Sequence, residues 1–118
     1  MKYDPDSNID PEEWMEYDES ERIEAVRQYH RRKKIRLPNE NLHATVHVVV
    51  ENQIALGDSF PAKSVLKRLM REGLDRHEAI HVVGKEAART DSRILAKGIF
   101  LIRVGQAFSL RRASARLL

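Results

Sequence analysis

The chain has 118 residues, 42% of them hydrophobic and 33% charged, which is enough to bury one core unaided and too little for a second full domain. It contains no cysteine, so disulfides, thiolate metal sites and a cysteine nucleophile are excluded, and a reducing cytoplasmic setting is expected. The net charge of +3 hides two opposed blocks: ten acids against Lys2 and Arg22 in residues 1–26, then six bases and no acid from Arg27 to Arg36.

No apolar run approaches the roughly 18 residues of a membrane span, and the acidic start has no apolar signal core. The sequence therefore reads as soluble and intracellular. Residues 1–9 are polar and expected to be disordered. Residues 10–90 form a helical domain in this reading, and residues 91–118 a further helix or a loosely ordered basic tail.

Asp10-Pro11-Glu12-Glu13 combines an N-cap, a proline at the first helical position and acids in the first turn, so a short helix is expected around Trp14. Asp18 or Ser20 then caps a second helix with Ile23, Val26 and Tyr29 or His30 on its apolar stripe. Leu37-Pro38 is expected to end it. The basic run Arg27, Arg31, Arg32, Lys33, Lys34 and Arg36 is either a phosphate-binding patch for nucleic acid or a membrane surface, or a solvated helix end that complements the dipole. The run lacks interleaved aromatics for base stacking, which favours the solvated end.

The central stretch runs from Asn39 to Gly57. Its stripe of Leu42, Val46, Val49, Gln53 and Leu56 is backed by Ala44, Val48 and Ala55, and a helix apolar on nearly all sides is one buried among others. The run His47-Val48-Val49-Val50 has strand propensity. The span's length, the Asn39 or Asn41 cap and Gly57 at the C-terminal end favour helix. A third helix is expected from about Pro61 to Glu72, burying Val65, Leu66, Leu69 and Met70 and terminated by Gly73. Asp75 and Glu78 then form a near capping box for a fourth helix whose stripe is Ile80, Val83 and Ala87. The fold expected is all-α, a small bundle of four to five helices around the central one.

Several segments together resemble a bacterial family, domain of unknown function number 1841. They are Asp18-Glu19-x-Glu21-Arg22-Ile23, Tyr29-His30-Arg31-Arg32, Arg36-Leu37-Pro38-Asn39, Leu42-His43-Ala44-x-x-His47, Val50 to Gly57, and Leu69-Met70-x-Glu72-Gly73-Leu74-x-Arg76 to His81. The likeness covers roughly residues 10 to 84 and implies a small helical protein of bacterial type with no characterised activity. After Gly84 the chain departs from that pattern. Lys85 to Leu118 carries eight bases against Glu86 and Asp91, and Gly98 to Gly105 reads locally as a strand.

Four of the five histidines fall in two pairs, His43 with His47 and His77 with His81. Helical residues four apart have Cβ atoms about 5–6 Å from each other, so either pair can reach one ion at about 2.0–2.1 Å per bond. Both pairs flank their apolar stripes, and Gly84 beside the second permits close backbone approach. If the two helices face each other, four imidazoles converge on a divalent metal (zinc, iron or manganese), with Glu51 as a fifth ligand or as an acceptor orienting an imidazole. Hydrogen bonds within the core are the alternative. His30, beside Arg31 and Arg32, reads as a surface residue.

His77-Glu78-x-x-His81 also fits the zinc-peptidase pattern with Glu78 as general base, although the capping box already accounts for Glu78. Three functional readings follow. The favoured one is a binding or interaction module with a histidine-rich metal site, working through self-association or a protein partner. The others are a zinc-dependent hydrolase and a basic accessory protein associated with nucleic acid.

Overall fold

The computed structural model describes the backbone of residues 1–90 and the side chains of residues 1–87. The readings of residues 91–118 lie outside the described residues. The described chain is all helical: α1 (Pro11–Glu16), α2 (Glu19–Arg32), α3 (Glu40–Ala55), a 3₁₀ turn (Gly57–Ser59), α4 (Ala62–Arg71) and α5 (Arg76–Thr90). Among the described residues no helix is long and apolar enough to cross a membrane.

Local chemistry sets the boundaries. The Asp10 carboxylate accepts from the Glu12 N–H, and Pro11 opens α1. At α2, Asp18 and Glu21 form a reciprocal capping box, and Asn39 accepts from the Leu42 N–H to start α3. At α5 the Glu78 N–H donates to Asp75 at 2.7 Å and the Asp75 N–H donates to Glu78 at 3.2 Å. Each such cap satisfies an N–H that the helix itself leaves unpaired, at about 1 kcal/mol.

The C-terminal ends of α2 and α4 share one device. In α4 the Leu74 N–H reaches back to Leu69 O and the Gly73 N–H to Met70 O, with Gly73 at φ 111°. This pairing ends a helix through one left-handed residue. The same bonds close α2, from Ile35 to His30 O and from Lys34 to Arg31 O, with Lys34 at φ 57°. The helix therefore stops at Arg32, before the Leu37-Pro38 end expected from the sequence. A lysine in the left-handed region gives no sequence signal of a helix end, since that conformation is ordinarily glycine's.

The centre of the fold is α3, which packs against α1, α2, α4 and α5. Val48, Val49 and Val50 are all buried. Each valine in a helix costs about 0.5 kcal/mol of propensity relative to alanine, whereas burying it stabilises by about 1.5–3 kcal/mol. Burial wins, and the strand-like run is helical. Gly84 on α5 lies where a Cβ would come within 2.6 Å of Val46 Cγ1, so the bare backbone allows α5 to approach α3 closely.

Several expectations about burial are corrected, among them Leu56 of the central stripe, which is exposed. Met70 is exposed, and Ala62 completes the α4 face with Val65, Leu66 and Leu69. The opening residues are anchored where disorder was expected. Tyr3 is buried against Trp14 and Tyr29, the Arg76 guanidinium donates to Pro5 O at 2.9 Å, and the His77 N–H donates to Asp6 Oδ1 at 3.1 Å. These partners lie 71 residues away, beyond any local pattern.

Candidate metal centre

α2, α3 and α5 bring all five histidines to one place. One nitrogen from each of His30, His47, His77 and His81 lies within 4.8 Å of the others. Nε2 of His47 and Nε2 of His81 are 2.9 Å apart, and the His77 and His81 ring centroids are 4.3 Å apart. Both sequence pairs thus meet across the α3–α5 contact.

His30 corrects the expectation of a surface residue. It is 2% exposed, with its ring 4.9 Å from that of His47 and 5.3 Å from that of His77. The apolar stripe of α2 continues through Val26 and Tyr29 into His30, and that stripe was the usable signal. The adjacent Arg31 and Arg32 masked it. His43, expected among the four ligands, stands beside the group; its Nε2 is 3.2 Å from His30 Nε2 and its ring 4.8 Å from that of His81.

The hydrogen bonds fix which ring nitrogens face inward. His30 Nδ1 lies 2.9 Å from Val26 O, and a carbonyl can only accept, so Nδ1 carries the proton and Nε2 keeps its lone pair. Tyr3 donates its hydroxyl proton to Glu51 Oε2 at 2.5 Å, so its oxygen accepts from His47 Nδ1 at 3.1 Å. The Nε2 lone pair of His47 therefore also faces the cluster. Nε2 of His77 is buried with no hydrogen-bond partner among the described residues. A buried nitrogen left unpaired costs about 1–3 kcal/mol, and a metal ion is one group that satisfies it.

Glu51 reaches the cluster only through Tyr3. Both of its oxygens are taken up by Arg76, Nη1 to Oε2 at 2.8 Å and Nη2 to Oε1 at 2.7 Å, and it is not among the residues in common reach of one ion. Of the two roles expected for it, the geometry is that of the orienting acceptor. Arg76 and Glu51 are 5% and 2% exposed, and buried charges of this kind hold only when paired and hydrogen-bonded. Tyr3 and Arg76 escaped the sequence reading because their partners are 44 and 25 residues away.

The cluster favours the neutral form of His43, His47, His77 and His81. Burial pushes His43 down to about 4, aided by His30 and His77. Burial also lowers His81 to about 4, aided by His77, His43 and His30. Residue-wide, His81 is exposed; its ring nevertheless faces the other imidazoles, which is what governs the shift. His47 is lowered well below its usual range by burial and then by the neighbouring histidines, and His77 is lowered mainly by burial. Neutral imidazoles are the metal-binding form.

The remaining candidates lie elsewhere. Glu78 is exposed and caps α5 through Asp75. In the basic run, Arg31 pairs with Glu40 at 2.6 Å and Arg27 with Glu24 at 3.0 Å. Arg32 donates to Tyr3 O at 3.3 Å and the Lys33 ammonium lies 6.0 Å from the Tyr29 ring centroid. Lys34 and Arg36 are exposed.

A groove of about 460 Å³ opens onto the cluster, with His43, His47 and His81 on its wall. No protein-family model matches the chain, and no curated protein or solved structure matches it significantly.

Proposed function

We propose that this chain is a metal-binding helical protein in which His30, His47, His77 and His81 hold one divalent transition-metal ion, with His43 beside it. The observation that carries this reading is the convergence of four imidazole nitrogens within 4.8 Å, one of them on a ring whose buried Nε2 has no hydrogen-bond partner among the described residues. Structural histidines gathered for packing alone would each find a hydrogen-bond partner.

An all-imidazole set suits zinc, iron(II), nickel or copper, whereas manganese prefers oxygen ligands. Tyr3, Glu51 and Arg76 then serve as the outer chain that orients His47, a usual accompaniment of a ligating histidine. Glu78, capping its own helix, has no part in this role.

X-ray absorption on the zinc-loaded protein tests the reading. A shell of about four nitrogen ligands near 2.0–2.1 Å with imidazole multiple scattering supports it. An oxygen-dominated shell overturns it.

A further inference from the structure

The groove beside the cluster has a composition that specifies a ligand. Its lining combines apolar Leu37, Leu42, Val46 and Ile80 with His43, His47 and His81. Lys85 stands exposed at its rim. A volume of about 460 Å³ falls in the range of small-molecule sites, which are mostly apolar with a few placed polar groups.

Charge supplies the second argument. The four histidines in common reach include no carboxylate, and the nearest buried acid, Glu51, is already neutralised by Arg76. A divalent ion on four neutral imidazoles keeps its full double charge in a partly dry site, where an anionic exogenous ligand is strongly favoured. Lys85 adds positive charge at the entrance.

Resting on the metal reading above, we propose that the groove binds a small organic carboxylate with an apolar body, its carboxylate on the metal ion and its body along Leu42, Val46 and Ile80. Among the described residues the ligand set holds no anion, so the incoming carboxylate offsets the charge as a fifth ligand on the ion. A short acid such as acetate satisfies the ion and leaves the apolar wall wet. An acid with an alkyl or aryl body covers that wall as well.

The test uses the full-length chain loaded with cobalt(II), whose visible absorption reports on its ligands, titrated with octanoate and with acetate. The expected result is that octanoate perturbs the cobalt bands with an affinity at least about tenfold above that of acetate. Leu42→Ser is expected to lower octanoate affinity toward that of acetate, which itself stays unchanged. Cobalt held at one ion per chain with equal affinity for the two acids overturns the inference. So does octanoate binding that leaves the cobalt bands unmoved, since its carboxylate then sits at Lys85. If no cobalt binds, the metal reading itself fails, and the cobalt content of the same sample separates the two failures.

Discussion

The Tyr3 hydroxyl lies 3.1 Å from Nδ1 of His47, so a residue in the acidic opening segment sets the tautomer of a histidine at the centre of the bundle. The bond has a direction because Tyr3 gives its own proton to Glu51 at 2.5 Å, and Arg76 holds both Glu51 oxygens. Burial first, and then the Glu51 charge, push the Tyr3 hydroxyl well above its usual pKa. Tyr3 is therefore a neutral phenol that accepts from His47 throughout the physiological range.

Tyr3→Phe removes that acceptor without emptying the space. Metal affinity is expected to fall about 10–100-fold, the usual cost of losing an outer partner of a ligating histidine, with stability lowered by about 1–3 kcal/mol from the unpaired His47 Nδ1. Competition with a calibrated chelator checks the first, and urea unfolding of the metal-free chain the second. Unchanged metal affinity would remove Tyr3 from the site.

Arg76→Met leaves the Glu51 charge buried without its partner, and the expected loss is about 3–5 kcal/mol. Replacing both residues, Arg76→Met with Glu51→Leu, removes the stranded charge as well. The double variant is then more stable than Arg76→Met alone, a non-additivity that denaturant unfolding measures directly.

Acid should unfold the metal-free protein through the cluster. His43 and His81 titrate near 4 in the folded chain and near their usual value of about 6.5 when unfolded. Between those values the unfolded state binds more protons, so stability falls as pH drops. The contribution is fully present above about pH 6.5 and is lost on descending toward pH 4. Melting temperature followed from pH 7.5 to 4 should decline across that window, and replacing His43 and His81 with glutamine should flatten the decline.

Much of the fold was legible because it is locally encoded. Asp10, Asp18, Asn39 and Asp75 announce helix starts through side chains that bond the next turn, and the circumferential apolarity of α3 indicates burial among neighbours. The pairing of His43 with His47 and of His77 with His81 was equally visible, since helical spacing alone places each pair. His30 was not, because its direction depends on how α2 sits on α3, and its flanking arginines suggested solvent. Tyr3 and Arg76 were hidden for the same reason: their roles exist only once segments 44 and 25 residues apart are brought together. The strand reading of Gly98 to Gly105 concerns a segment outside the described residues.

Gln53 on α3 shows a misfit that the sequence stripe already hinted at. It is 3% exposed, and both its amide nitrogen and its amide oxygen lack hydrogen-bond partners among the described residues. Gln53→Leu, which keeps the volume and removes the desolvated amide, is expected to stabilise the chain by about 1–3 kcal/mol. Urea unfolding should show a higher midpoint with the same slope; a lower midpoint would mean that the amide is satisfied in solution.

The most direct test is the metal content of His30→Ala, because His30 is the one proposed ligand that the sequence pattern did not offer and the geometry added. Untagged wild-type and variant proteins are loaded with zinc, dialysed against metal-free buffer and assayed by elemental analysis, with circular dichroism confirming that the variant stays helical. The expected result is about one zinc per wild-type chain and a large loss in the folded variant. Equal zinc in the two, or none in the wild type, would contradict it.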